Sequence, residues 1–140
     1  MQTERISVLL VAEPNRSCDE IERLLRHTQW RVHRVHSVAE AYALLKRTTF
    51  QVVLCERQLS DGSWKSVLKI LNDCDSSASI VVLSEADQHT WAEVLNLGGY
   101  DLLPLPCRPS ELYQIIPAAW RQSRHRAHDQ SAAELEGCCR

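Results

Sequence analysis

The sequence predicts a doubly wound α/β fold: a five-stranded parallel sheet with helices on both faces. Short, nearly unbroken apolar runs recur along the chain, and each is followed by a segment whose apolar residues return at helical spacing. The two kinds of segment alternate five times within 140 residues. Unbroken apolar strands mark a sheet covered on both faces, and regular strand–helix alternation implies right-handed crossovers between parallel strands.

The first run is Ile6-Ser7-Val8-Leu9-Leu10-Val11, which stops at Glu13-Pro14-Asn15. Ser17 and Glu20 stand at capping-box spacing, and Cys18, Ile21, Leu24 and Leu25 make a helical stripe ending near His27. Trp30 to His36 sets Val32 and Val35 among Arg and His, a polar pattern suited to the margin of a sheet. Ser37 and Glu40 repeat the capping-box spacing before Ala41, Leu44 and Leu45. Val52-Val53-Leu54-Cys55 is the third strand, ending at Glu56. It leads through Leu59-Ser60-Asp61-Gly62 into a helix carrying Trp64, Val67, Leu68 and Leu71. Ile80-Val81-Val82-Leu83 is the fourth strand, and Trp91, Val94 and Leu95 lie on a helix that stops at Gly98-Gly99. The fifth strand, Asp101 to Leu105, contains Pro104, which cannot donate to a ladder and so belongs at a sheet edge. Pro109 opens a final helix through Leu112, Ile115, Ile116 and Ala119 to Trp120, with a kink expected at Pro117. Past Arg121 the apolar period fades, so the domain is placed at residues 1–122 and residues 123–140 are read as a helical extension fraying into disorder.

The bulk properties exclude several function classes. A 44% apolar, 24% charged composition with net charge -2 gives no reason to expect nucleic acid or membrane as a partner. The basic cluster Arg121, Arg124, His125 and Arg126 is read as a solvated helix end. No apolar run approaches the roughly 18 residues of a membrane span, and the start of the chain is short and polar, so a cytoplasmic protein is expected. Six cysteines without a secretion signal are read as reduced thiols, mostly buried small apolar groups, and none has zinc-ligand spacing. Too few residues follow Trp120 for an output domain, which predicts a stand-alone unit.

In a doubly wound sheet, ligands and chemistry gather at the carboxyl ends of the strands, where strand order reverses. The residues there are Ala12, Glu13, Glu56, Ser84 and Leu105. In this arrangement the chain resembles the receiver domain of bacterial response regulators over roughly Ile6 to Trp120. The resemblance implies a flavodoxin-like (CheY-like) sheet of strand order 2-1-3-4-5. It also matches the family's acid pair after the first strand to Ala12 and Glu13, and the phosphoacceptor aspartate to Glu56. The hydroxyl switch residue is matched by Ser84, the aromatic switch residue by Leu102, and the lysine by Leu105 before Pro106.

Only Ser84 keeps its chemistry in full, with Glu13 a conservative match. In-line phosphoryl transfer depends on an aspartyl oxygen, a divalent cation and a cationic side chain on the phosphate. Leucine supplies no charge, and the extra methylene of glutamate invites a misplacement of about 1 Å, worth on the order of a hundredfold in rate. The resemblance therefore implies a degenerate pseudo-receiver, neither an enzyme nor normally phosphorylated, that works by protein–protein interaction. Its partners would be a histidine kinase, another signalling protein or a second copy as a homodimer. The alternative is a phosphorelay regulator phosphorylated weakly or at a non-standard residue, and a third reading, from the cysteines, is a thiol or metal sensor. The partner face is expected on the fourth helix, fifth strand and fifth helix, anchored by Trp91 and Trp120. Glu13 and Glu56 should share one cleft. Their repulsion is expected to be relieved by a weakly bound magnesium ion or by an arginine such as Arg16 or Arg57, without any other cofactor.

Overall fold

The computed structural model describes residues 5–137. In chain order the elements are β1 (Ser7–Val11), α1 (Arg16–Arg26), β2 (Arg31–Val35), α2 (Val38–Leu45), β3 (Val52–Glu56), β4 (Gln58–Leu59), β5 (Gly62–Ser63), α3 (Trp64–Asp73), β6 (Ser79–Ser84), α4 (Gln88–Asn96), β7 (Asp101–Pro104) and α5 (Pro109–Gly137). The main sheet is parallel throughout, in the order β2-β1-β3-β6-β7. This is the predicted order, with β6 and β7 as fourth and fifth strands. The antiparallel β4–β5 pair is a small hairpin inside the loop after β3.

Alternation along each strand explains the unbroken apolar runs. Val8, Leu10, Val52, Leu54, Val81 and Leu83 face the layer formed by α1 and α5, where Ile21, Leu25, Leu112 and Ile116 cover them. Leu9, Val11, Val53, Ile80 and Val82 face α2, α3 and α4, meeting Ala41, Trp64, Val67 and Val94. A strand buried on both sides has no solvent-facing position for a polar residue. Trp64 is 1% exposed and belongs wholly to this second layer. Burying such a ring stabilises by about 3 kcal/mol or more against truncation.

The helix ends follow local chemistry, with one change from expectation. Ser37 caps α2 as its spacing predicts, accepting from the Glu40 N–H. At α1, however, the cap is Asn15 rather than Ser17: its side chain accepts from the Cys18 N–H at 2.9 Å. Asparagine is among the best N-caps, and starting the helix there leaves Ser17 inside the first turn. Gly98 ends α4 at φ 102, a left-handed conformation that only glycine adopts freely.

Proline placement also follows the sequence. β7 is an edge strand, where Pro104 is tolerated, and the ladder resumes beyond it as the Leu105 N–H donates to Ser84 O at 2.8 Å. Pro109 is the first residue of α5, and Pro117 lies inside that helix. The helix passes the boundary placed at residue 122 without a break. Ser123 is 2% exposed, and the Arg126 guanidinium donates to Ala78 O and Gly98 O at 3.4 and 3.2 Å. Residues 123–126 therefore dock on the domain. They do so through polar contacts, which is why the apolar period fades there. Cys138 and Cys139 lie outside the described residues.

Candidate functional site

The carboxyl ends of β1 and β3 lie side by side, since Val11 pairs with Cys55 in register. This register brings Glu13 and Glu56 to one cleft, as expected, and both are half-buried. One Glu56 carboxylate oxygen accepts the backbone N–H of Glu13 at 2.7 Å, and the other accepts the side-chain amide of Asn15 at 3.0 Å. The Glu13 carboxylate turns toward the loop after β3 and accepts the Ser60 N–H at 2.6 Å. Hydrogen bonds to an ionised acceptor each contribute about 1.5–3 kcal/mol. The repulsion between the two acids is thus met by neutral donors, which hold each carboxylate from its own side.

Asn15 does three jobs at once: it caps α1 through Cys18, donates to Glu56, and donates to the Glu13 carbonyl at 2.9 Å. The arginine at this corner is Arg34, rather than Arg16 or Arg57, and it reaches backbone instead of a cleft carboxylate. It pairs with Leu10 in the β1–β2 register and so faces the α1 layer. There it donates to Ala12 O and Glu13 O and pairs with Asp19 and Glu22. The capping preference of asparagine could have revealed Asn15. Arg34 carries no local signal.

The remaining positions expected at the site bring no charge. Ala12 is fully buried and supplies only a methyl group. Leu105, where the lysine would stand, packs against the α1/α5 core layer, and its peptide bond to Pro106 is cis. Ser84 is nearly buried at the end of β6, and Leu102 is 7% exposed on β7.

A divalent cation here would have the Glu13 and Glu56 carboxylates as its side-chain ligands, and each of their oxygens can accept more than one contact. Position 12 offers no oxygen from its side chain, and the Glu13 and Glu56 carboxylates are held by Ser60, Glu13 N–H and Asn15. Among the described residues no group of three or more His, Cys, Asp or Glu side chains is arranged to hold a metal ion.

The thiols are equally quiet. Burial, with the Glu56 charge beside it, pushes the Cys18 thiol up to about 12. Burial also pushes Cys55 upward, reinforced by Glu56 and Cys18. Both stay protonated and unreactive at neutral pH.

The structure separates the two expected aromatic anchors. Trp91 on α4 is 47% exposed, and its indole N–H donates to Asp101 at 2.9 Å. With Ala86, Asp87, Gln88, Leu102 and Pro104 it lines an open groove along the β7 edge. Trp120 instead packs against the α1/α5 core layer with Arg124 over its ring at 5.0 Å. That ring is largely spent on packing, and the exposed apolar character of the face rests on Trp91, with Leu95 and Leu97 also open on and just past α4.

A five-stranded doubly wound parallel sheet in this order, with an acidic cleft where the strand order reverses, defines a flavodoxin-like α/β fold. The family profile described as the response regulator receiver domain matches residues 8–117, and the chain belongs to that family. Solved structures agree on the fold. A two-component response regulator from Clostridium difficile is 23% identical, with a TM-score of 0.74 over 84% of this chain and 97% of its own. A CheY-like receiver domain protein from Methanospirillum hungatei is 17% identical, with a TM-score of 0.75 over 87% of this chain and 98% of its own. The receiver domain of a sensor histidine kinase from Pseudomonas aeruginosa, which holds a magnesium ion in its active-site cleft, is 21% identical, with a TM-score of 0.73 over 84% of this chain and 98% of its own. At such identities the likeness speaks for fold alone. No curated protein matches the chain. No helix among the described residues is long and apolar enough to cross a membrane.

Proposed function

We propose that this receiver domain is a cytoplasmic signalling adaptor that recognises a histidine kinase, another signalling protein or a second copy of itself without a phosphorylation cycle. One observation carries the reading: both cleft carboxylates are already hydrogen-bonded to donors of the domain, while the position that would neutralise a phosphoryl group is Leu105. An attacking oxygen must be free to approach phosphorus in line, and the transferred charge needs cations around it. Glu56 has neither condition. Ser84 alone favours the alternative of weak phosphorylation, and a hydroxyl without a charged neighbour does little for that chemistry.

The binding surface is then the groove beside Trp91, where an exposed aromatic and Leu102 meet an edge strand. Large rings in such positions dominate interface energetics. The test is capture of partners from native extract by the intact chain, with and without a small phosphodonor and magnesium. The same partners at the same level in both arms is the expected result. Capture that depends on the phosphodonor overturns the proposal.

A further inference from the structure

Arg34 stands on the edge strand β2, with its side chain 7% exposed. Nε and Nη2 donate to Ala12 O at 3.3 and 3.2 Å, and Nη2 also donates to Glu13 O at 2.8 Å. Nη1 meets Asp19 and Glu22 of α1 at 2.7 and 3.0 Å. The Ala12 carbonyl belongs to the same peptide unit as the Glu13 N–H, and that N–H holds Glu56 at 2.7 Å. A positive guanidinium therefore sits at one end of a single peptide dipole and a negative carboxylate at the other. Hydrogen bonds in such a chain polarise and strengthen one another.

We propose that Arg34 is a positioning residue for the cleft: acting through the Ala12–Glu13 peptide, it sharpens the Glu13 N–H as a donor and so fixes Glu56, supplying the counter-charge that Leu105 cannot. The inference rests on the reading that the cleft is organised by its own donors, without metal or phosphoryl group. Tying β2 to α1 would require only the contacts to Asp19 and Glu22. The three donations to the loop carbonyls are what the coupling adds.

The experiment follows the Glu13 amide by NMR and hydrogen exchange in the intact chain, in the presence of a chelator and without phosphodonor. Its outcome is thereby independent of whether the chain can be phosphorylated. In Arg34→Met the Glu13 amide should exchange roughly tenfold to a hundredfold faster and its proton should move upfield, the loss expected for a hydrogen bond to a charged acceptor. Arg34→Lys, which keeps charge but not the planar fork, should fall between. Glu56→Gln should shift the same amide in the same direction, and adding Arg34→Met to it should produce less than the two effects combined. An Arg34→Met chain whose melting falls while the Glu13 amide is unchanged overturns the proposal, as do additive effects of the two substitutions. Should Arg34→Met fail to fold, the Asp19→Asn, Glu22→Gln double variant decides: with the guanidinium released from α1 yet still on the carbonyls, Glu13 protection should hold or rise. Its loss overturns the coupling.

Discussion

The cleft at the ends of β1 and β3 and the groove along β7 lie at the same sheet yet are built in opposite ways. In the cleft both carboxylates accept from the domain's own donors: Glu56 from Glu13 N–H and Asn15, Glu13 from Ser60 N–H. Beside β7, groups with contact area to offer face outward: Trp91 on α4 is about half exposed over the groove, and Leu95 and Leu97 are open farther along that helix and at its end. On the proposed function, the cleft acids serve the domain's own structure and recognition falls to the groove beside Trp91. Stability should therefore be sensitive in the cleft and binding sensitive at the groove.

The largest expected effect breaks the cleft. Glu56→Ala removes the acceptor for two hydrogen bonds and should lower unfolding free energy by about 2–3 kcal/mol, read as a shift of the denaturant midpoint. Partner capture by the folded fraction should be unchanged. If Glu56→Ala is as stable as the parent, the carboxylate is not the staple described here. Trp91→Ala should do the reverse. Its unfolding free energy should change by no more than about 1 kcal/mol, since the ring is exposed and its one hydrogen bond lies at the surface. Captured partner should fall by about 2 kcal/mol of binding, roughly thirtyfold. A Trp91→Ala chain that folds and keeps every partner places recognition elsewhere.

How far the sequence revealed this contrast depends on the kind of contact. The fold was legible because buried strands and amphipathic helices write their periods into consecutive residues, and Pro104 marked the edge strand. The positions of Glu13 and Glu56 followed from the strand ends. Their partners did not, because backbone N–H groups of Glu13 and Ser60 have no residue signature, and Arg34 lies 22 residues from Ala12 in the chain. The packing of Trp120 was hidden for a related reason: its helical spacing serves a core face and a binding face equally well. Docking of α5 past residue 122 relies on Ser123 and Arg126, which carry no apolar period.

A smaller effect sharpens the cleft's support. The hydrogen bond from Arg34 holds the Glu22 carboxyl below its ordinary range, against some desolvation and with help from Arg26. Because the folded value lies below the unfolded one, this stabilisation is present above the unfolded value near 4.5 and is lost as pH falls through the folded value. Glu22→Gln should accordingly flatten the acid limb of a stability–pH curve; an unchanged limb would show that Arg34 does not depend on Glu22. The smallest effect is chemical. In the native protein a thiol reagent should modify exposed Cys74 before Cys18 or Cys55, which should react only on unfolding. Peptide mapping after brief labelling distinguishes this order from a reactive core thiol.

Intact mass after incubation with a small phosphodonor and magnesium tests most directly the proposal that the cleft carries no phosphoryl group. The parent chain should gain no phosphoryl mass. Glu56→Asp should gain none either, because Ala12 still offers no carboxylate and Leu105 still offers no charge. A stable phosphorylated species from either chain, mapped to position 56, would contradict the account.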